Sequence, residues 1–439
     1  MSSPRDHARA IWDAAVRAAR PEPLVAAALA APDLAALVRA APRVIVVGAG
    51  KAGAGMAAGL EAALADRLGR VEGLVNVPEG MGRALGRVRL HPARPQGSNE
   101  PTAAGVAGSD EMLRLLAAAG PDDVAVCLLS GGGSALLPAP AAGISLADKL
   151  AVTKLLHRSG ATIDEMNCVR KHLSRVKGGR LAQAFRGRTL VSLVSSDVVG
   201  DPLDVIASGP TAADPTTFAD ALAVVEKYAL GERVPASVLD LLARGAAGAT
   251  PETLKQVPAT VINRVVGSNR ISLLAAGAAA AELGYRVLDL GSFVEGETRE
   301  VAVAVAGIVR SIRRDITPLA PPACLLLGGE TTVTLGETAG KGGRNQEFVL
   351  AVLAKLSASD DMAGVTVLSG GTDGEDGPTD AAGAVADAGT LARAGTRGVA
   401  VEDHLRRHDA YPFFDATGDL IRSGLTGTNV MDVRVVLVT

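Results

Sequence analysis

The sequence is poor in aromatic residues and carries little excess charge. Its 439 residues include six Phe, three Tyr and one Trp, too few for the stacking platforms of single-strand nucleic-acid binders. Lys and Arg number 44 against 47 Asp and Glu, a net charge of −3. A protein that binds phosphate backbones through a basic surface is therefore not expected. We predict aliphatic cores and no nucleic-acid partner.

Cysteine and long apolar runs are also scarce. Cys127, Cys168 and Cys324 are scattered along the chain and fit neither a disulfide framework nor zinc-ligand spacing. The mean hydropathy is +0.26, but the apolar stretches are far shorter than the roughly 18 residues of a membrane span. The N-terminal segment has the pattern of an amphipathic helix and lacks a signal-peptide core. We predict a cytoplasmic protein without a membrane segment.

What is present is a regular alternation of short β-branched runs with alanine-rich helical patterns. This alternation is typical of βαβ units in a buried parallel sheet. The length predicts two or three domains, and about ten expected strands exceed one doubly wound sheet. We therefore predict two α/β domains, residues 1–250 and 251–439, divided in a segment rich in Gly, Ala and Pro. The first is expected to be Rossmann-like with a parallel sheet.

Glycine-rich strand ends are the places to look for a site, because ligands of open α/β sheets bind beyond the carboxyl ends of the strands. The first such end matches G-x-G-x-x-G with Gly48, Gly50 and Gly53, where backbone amides can bind a phosphate. Lys51 adds a positive charge inside this loop, although a solvated loop lysine is the alternative. The next strand ends in Asn76 rather than in a ribose-binding acid, which counts against a nicotinamide cofactor.

The second strand end is a serine- and glycine-rich loop, which consists of Ser130, Gly131, Gly132, Gly133 and Ser134. Successive glycines favour a nest of backbone amides that binds a carboxylate or a phosphate. A serine nucleophile is less favoured, because the G-x-S-x-G order of a nucleophile elbow is absent.

Two further candidates in the first half are Asp197 and Arg170. Asp197 follows a predicted strand, where a carboxylate holds magnesium, accepts a proton from a hydroxyl, or caps a helix. Arg170 opens a basic stretch that either points to an anionic substrate or forms a solvated helix face.

The second half contributes a cation and several acids. Arg344 follows two glycines and is placed to stabilise charge on a transferring phosphoryl group. Gly329 and Glu330 end another predicted strand, and Asp373 lies in an acidic loop that fits either a hard cation or an ordinary surface turn. No Walker sequence occurs, because Lys341 is followed by glycine.

Together these segments resemble the class II glycerate kinases, whose C-terminal part is called the MOFRL domain. The resemblance covers nearly the whole chain and is carried by residues 48–52, 91–95, 130–136, 167–179, 195–201, 204–211, 328–333, 340–347, 370–383 and 424–430. One departure is visible at Ala93 and Arg94, where a more compact His-Pro-x-Pro is expected.

The resemblance implies an enzyme that transfers phosphate from ATP, with Mg²⁺, to the 2-hydroxyl of D-glycerate, giving 2-phosphoglycerate and ADP. It also implies two α/β domains, the second of MOFRL type, and catalysis by Lys51 and Arg344. Asp197 is expected to orient or deprotonate the hydroxyl. The glycerate carboxylate is expected at the loop from Ser130 to Ser134 and at Arg170.

The residues that bind the nucleotide and the metal are predicted from their positions at strand ends. Asp197 and Asp373 are the expected magnesium ligands, and the expected nucleotide contacts are Gly48, Gly50, Gly329, Glu330, Asn345 and Asp373. The sequence leaves the oligomeric state open, with a homodimer as one expectation. The alternatives are an NAD(P)H-dependent reductase of hydroxypyruvate or tartronate semialdehyde, and a ligand sensor without turnover.

Overall fold

A computed structural model describes residues 2–336, 340–358 and 362–439. The chain forms two compact units, one made of Pro21–Val266 and the other of Met1–Arg20 together with Gly267–Thr439. This division differs from the predicted one at residue 250. The break follows Val266, and the first helix, α1 (Pro4–Ala18), belongs with the C-terminal residues.

The continuous unit contains a six-stranded sheet in the order β3-β2-β1-β4-β5-β6, with parallel pairing from β3 through β5. The strands are β1 (Val44–Ala49), β2 (Val71–Pro78), β3 (Val88–Arg94), β4 (Val124–Leu129), β5 (Thr189–Ser195) and β6 (Val261–Gly267). The helices are α2 (Pro21–Ala30), α3 (Pro32–Ala40), α4 (Gly53–Ala63), α5 (Ala103–Ala117), α6 (Gly133–Leu136), α7 (Leu146–Arg158), α8 (Ile163–His172), α9 (Arg180–Ala184), α10 (Phe218–Lys227) and α11 (Ala236–Ala246), with short 3-10 helices at Ala65–Arg70 and Ile206–Ser208.

Strand β1 shows why this sequence forms a central parallel strand. Val44 and Val46 pack into the core on one face of the sheet, and Ile45 and Val47 pack into the core on the other. A strand buried on both faces reads as a continuous apolar run, as predicted. The strand order reverses between β1 and β4, so their carboxyl ends flank the crevice where ligands of such sheets bind.

The second unit contains a mixed sheet in the order β11-β10-β9-β12-β8-β7, in which β12 is antiparallel to both β8 and β9 and β7 is parallel to β8. Its strands are β7 (Arg286–Asp289), β8 (Ala323–Gly329), β9 (Val365–Gly371), β10 (Gly383–Ala386), β11 (Leu420–Ile421) and β12 (Asp432–Val438). Its helices after α1 are α12 (Asn269–Glu282), α13 (Thr298–Asp315), α14 (Arg344–Ser357), α15 (Ala388–Arg397), α16 (Val401–Arg406) and α17 (Ala410–Thr417).

Helix α1 is part of this second unit because of its apolar face. A capping box between Ser3 and Asp6 starts the helix, which confirms the predicted N-terminal amphipathic helix. Ile11 and Trp12 are buried in a core with residues of α12, β8, β9 and β12. The Trp12 indole N–H donates to the carbonyl of Gly370 at 3.1 Å, and its ring occupies the space that a side chain at position 370 would need.

The structure bears on two expectations from composition. Among the described residues, no single helix is long and apolar enough to cross a membrane, although α2 and α3, bent by 82°, reach the required length and composition as a pair. The three cysteines are buried and unpaired. Burial raises the pKa of Cys127 and Cys324 to about 12, so these thiols stay protonated and unreactive at neutral pH.

Candidate active site

The two loops predicted at the ends of β1 and β4 lie side by side. The backbone N–H of Lys51 donates to the carbonyl of Gly131 at 2.9 Å, and that of Ala52 donates to Ser130 Oγ at 3.1 Å. Ser130 in turn donates its N–H to the carbonyl of Ala49 at 3.1 Å. Lys51 and the serine- and glycine-rich loop are therefore neighbours at the crevice between β1 and β4.

The glycines before Lys51 serve close packing between these strand ends. A side chain at Gly48 would collide with the backbone of Leu128, and one at Gly50 would collide with Ser130. The N–H groups of residues 50 to 53 all donate to protein oxygens. These four amides thus have partners within the protein, and the nucleotide contacts of Gly48 and Gly50 stay a prediction.

Two cations flank Gly132, which has a φ of +74°. A Cβ at this glycine would lie 3.1 Å from Arg94 Nη2 and 3.5 Å from Lys51 Cγ. Lys51 is exposed, whereas Arg94 is 2% exposed and its Nε has no hydrogen-bond partner among the described residues. Burial lowers the pKa of Arg94. Sequence reasoning noted Arg94 only as a departure from the family pattern and assigned it no role.

Ser134, at the other end of the loop, is held by two more cations. Its Oγ accepts hydrogen bonds from Arg170 Nη2 at 2.5 Å and from Lys177 Nζ at 2.8 Å, and it lies 2.9 Å from Ser208 Oγ. Burial and then the nearby Arg170 lower the pKa of Lys177 well below its usual value. The predicted association of Arg170 with this loop is thus present in the structure, with Lys177 beside it.

Asp197 joins the same cluster from the end of β5. A side chain at Gly131 would collide with the Asp197 carboxylate, so the glycine gives this acid room beside the loop. The half-buried carboxylate is therefore near the groups that would bind an anionic substrate, where a base or a metal ligand is useful.

In the other unit, Arg344 begins α14 and is fixed by two carboxylates. Its Nε and Nη2 donate to the two oxygens of Asp432 at 2.6 and 3.1 Å, and its Nη1 lies 2.8 Å from Glu330. These carboxylates raise the pKa of Arg344 even though burial opposes this. The paired arrangement fixes the orientation of the guanidinium.

Asn345 is buried and its side chain is fully engaged within the protein. Its Nδ2 donates to Asp376 at 3.2 Å and to Asp432 at 2.9 Å, and its Oδ1 accepts from Ser369 at 2.5 Å. In this structure Asn345 positions two carboxylates, and its contact with a nucleotide stays a prediction.

Asp376 and Asp432 were not singled out from the sequence. Asp376 accepts the backbone N–H groups of Asn345 and Gln346 at 3.0 and 2.8 Å, and burial raises its pKa to about 7. Asp432 and Arg434 alternate along β12, which is otherwise apolar and entirely buried. Two charged residues at alternate positions of an otherwise apolar strand were the sequence signal that could have identified Asp432.

The remaining predicted nucleotide residues surround this carboxylate cluster. Burial raises the pKa of Glu330, and nearby Asp432 and Asp373 add to the effect. Asp373 accepts the backbone N–H of Glu375 at 3.1 Å. Gly329 lacks a side chain where one would collide with the backbone of Val294, which is a packing role.

Within the described ranges, no group of three or more His, Cys, Asp or Glu residues is arranged to hold a metal ion. Magnesium in phosphoryl-transfer sites is commonly held by one or two carboxylates together with substrate phosphates. The assignment of Asp197 and Asp373 as magnesium ligands stays a prediction.

Comparisons with known proteins agree with these features. The model of a domain of unknown function (DUF4147) matches residues 7–243, and the MOFRL family model matches residues 323–432. A glycerate 2-kinase from Pyrococcus horikoshii is 41% identical over 90% of this chain and 88% of its own length. The chain belongs to the MOFRL-containing glycerate kinase family. The resemblance stated from the motifs is thereby confirmed.

Two other members of this family bear on fold and activity. The crystal structure of a glycerate kinase from Thermotoga maritima matches with a TM-score of 0.88 at 33% identity and covers 99% of both chains, which confirms the predicted pair of α/β domains. A relative from Agrobacterium vitis, 42% identical over 99% of this chain and 95% of its own, is provisionally named hydroxypyruvate reductase.

Proposed function

We propose that this protein is an ATP-dependent glycerate 2-kinase, which transfers the γ-phosphoryl group to the 2-hydroxyl of D-glycerate and releases ADP. The observation that carries the proposal is the set of cations around the loop from Ser130 to Ser134, at the carboxyl ends of β1 and β4. Phosphoryl transfer requires two anions to be brought together and their charge to be offset. A crevice with exposed Lys51, half-buried Arg170, and buried Arg94 and Lys177 fits that requirement.

The proposed reaction assigns each group one task. Arg170 and the serine- and glycine-rich loop bind the carboxylate of D-glycerate, and Asp197 accepts the proton of the 2-hydroxyl. The hydroxyl oxygen forms a bond to the γ-phosphorus while the bond from that phosphorus to the bridging oxygen of ADP breaks. Lys51 stabilises the charge on the transferring group. Arg344 keeps the catalytic role implied by the resemblance, in the orientation set by Asp432 and Glu330.

Magnesium and the nucleotide belong to the proposal as well. Bound to the nucleotide phosphates, Mg²⁺ would supply further positive charge, and Asp197 and Asp373 are the proposed carboxylate ligands. The surroundings of Glu330 and Asp373 are acidic, so a polyphosphate there requires a metal to offset the repulsion.

The direct test incubates the purified protein with D-glycerate, ATP and Mg²⁺ and couples the product to enolase without phosphoglycerate mutase. Immediate coupling is expected, because only 2-phosphoglycerate is an enolase substrate. Product that requires added mutase would mean 3-phosphoglycerate and would refute transfer to the 2-hydroxyl.

A parallel reaction with NADH and hydroxypyruvate tests the reductase alternative, which the name of the Agrobacterium relative raises. The hydrogen-bonded amides of residues 50 to 53 argue against a dinucleotide at that loop. Consumption of NADH without phosphoglycerate formation would overturn the kinase proposal.

Lys51→Ala is expected to lower kcat by about 100-fold or more while KM changes little, because a charge that acts on the transferring phosphoryl group matters most in the transition state. Lys51 is exposed, so its removal is not expected to alter the melting temperature. Lys227→Ala, which removes an exposed lysine paired with Glu165, is the control and is expected to keep wild-type kinetics. A Lys51→Ala enzyme with near-normal kcat would remove Lys51 from the mechanism.

We further infer a cytoplasmic location, because three free thiols suit a reducing compartment. A homodimer is proposed for the assembly and is tested by light scattering of the purified protein, where a monomer mass would refute it.

A further inference from the structure

A cavity of about 540 Å³ lies between α7, α8 and the segment that carries Ser134. Its polar end is formed by Ser134, Lys149, Arg170 and Lys177. The rest of its wall combines the apolar side chains of Pro101, Pro138, Leu150, Ile163 and Met166 with the polar ones of Asn99, Thr153, Lys154, His157 and Arg158. The cavity thus combines a cationic end with a partly apolar wall.

Lys149 is the unusual residue of this cavity. It is 4% exposed and its Nζ has no hydrogen-bond partner among the described residues. Burial and then the nearby Arg170 and Arg175 lower the pKa of Lys149 to about 7. A buried ammonium without a partner is unfavourable for folding, so its presence needs an explanation.

A structural role would require a partner, as another lysine of the same unit shows. Lys171 is 3% exposed, and its Nζ lies 3.2 Å from Asp214 and 3.3 Å from Asp204. Lys149 lacks such a carboxylate. Its position on α7 is on the same face as Val152 and Leu156, both buried in an apolar core, where an aliphatic residue would serve packing equally well.

The two charged groups that lower the pKa of Lys149 are both cations. Arg170 on α8 and Arg175 after it lower the Lys149 pKa, and Lys149 in turn lowers that of Lys177. Lys154, His157 and Arg158 of α7 line the same cavity. None of the described residues that line it is a carboxylate. Such mutual repulsion is relieved by an anion of more than one charge.

We propose that this cavity binds a phosphate-bearing anion, with the phosphate held by Lys149 and Lys177 beside the carboxylate that Arg170 and the loop from Ser130 to Ser134 bind. Given the proposed function, on which this choice rests, the phosphate comes from the nucleotide or from the phosphoglycerate product. The volume is in the range of pockets for ligands larger than glycerate. The phosphoglycerate product, which carries a carboxylate and a phosphate, is therefore the favoured source.

Isothermal titration of the full-length protein with pyrophosphate, ADP and 2-phosphoglycerate, each without magnesium, tests the site. We expect pyrophosphate and at least one of the other two to bind, and Lys149→Met to weaken that binding at least tenfold. Lys227→Met removes the same charge from an exposed lysine that pairs with Glu165 and does not line the cavity, and it is expected to change the Kd less than threefold.

The pattern among the ligands identifies the source. Tighter binding of ADP than of 2-phosphoglycerate assigns the cavity to the nucleotide, and the reverse order assigns it to the product. Failure of all three ligands to bind, or equal affinity in wild type and Lys149→Met, would overturn the proposal.

Protein stability distinguishes ligand binding from a structural role. Removing an unpaired buried charge should raise the melting temperature of Lys149→Met, whereas a structural lysine would give a lower one. Lys149→Gln, which keeps a polar end without the charge, serves as a second uncharged variant and is expected to lose binding equally. A variant that loses both stability and binding would refute the assignment.

The two proposals fail separately. A wild-type protein that makes 2-phosphoglycerate but whose anion affinity does not depend on Lys149 refutes only the cavity assignment. Binding of pyrophosphate that depends on Lys149 in a protein without kinase activity refutes only the proposed function.

Discussion

At the scale of single residues, the glycine motif before Lys51 shows how one pattern can serve two purposes. Its sequence matches a dinucleotide fingerprint, but Gly48 and Gly50 lie against the backbone of β4 and against Ser130. The motif brings the ends of β1 and β4 close enough for the Lys51 amide to reach Gly131. Packing accounts for these glycines without a bound phosphate.

Gly48→Ala should therefore destabilise the fold itself, because the new methyl group would meet the backbone of Leu128. Overpacking of this kind costs about 3 kcal/mol, which thermal unfolding followed by circular dichroism would detect. Gly82→Ala is the matched control, since Gly82 is exposed and has open space around it. If the two variants melted at the same temperature, the packing explanation would be wrong.

At the scale of secondary-structure elements, the first N–H groups of α14 are capped by a residue that is distant in the sequence. Gly343 precedes the helix and offers no side-chain cap, and Asp376, from the loop after β9, accepts the first N–H groups instead. This satisfies amides that would otherwise be unpaired at a buried helix end. The same helix start holds Arg344, so the cap also positions the proposed catalytic cation.

Asp376 should give the protein a pH-dependent stability. Its folded-state pKa of about 7 is higher than the ordinary value of 3.8. The folded state therefore binds this proton more tightly, and the stabilisation is full below about pH 4 and lost as the pH rises to 7. Asp376→Asn removes this titration, so its melting temperature relative to wild type should increase from pH 5 to pH 8.

Glu375→Gln is the control for this prediction, because Glu375 is an exposed carboxylate on the same loop. Its melting temperature relative to wild type should stay constant over the same pH range. A constant difference for Asp376→Asn as well would mean that Asp376 keeps an ordinary pKa in the folded protein.

The sequence predicted those elements whose signals are local. Alternating β-branched and helical runs predicted the parallel sheet, and glycine-rich strand ends led to Lys51 and to the loop from Ser130 to Ser134. The contacts of Asp376 and of Arg94 depend on residues about 30 or more positions away, which periodicity does not report. Lys149 had a local signal, a lysine on the apolar face of α7, that was not used.

At the scale of the whole molecule, the chain leaves its second unit after α1 and returns to it after residue 266. Composition suggested a break near residue 250, because only the local density of Gly, Ala and Pro is visible in the sequence. The buried face of α1 is what joins residues 1–20 to the C-terminal sheet. A C-terminal domain defined only as the consecutive residues 267–439 would lack this helix.

A fragment of residues 267–439 should therefore be less stable than the same fragment with a peptide of residues 2–20. The peptide covers a face formed by residues of α12 and of strands β8, β9 and β12, and its binding should raise the melting temperature with peptide concentration. Trp12 is the single tryptophan of the chain, so its fluorescence should shift to shorter wavelength as its ring becomes buried. An Ile11→Asp peptide keeps this fluorophore but places a charge in the core. Its fluorescence should not shift, and it should not raise the melting temperature of the fragment. Equal effects of the two peptides would show that the α1 face does not hold the C-terminal unit together.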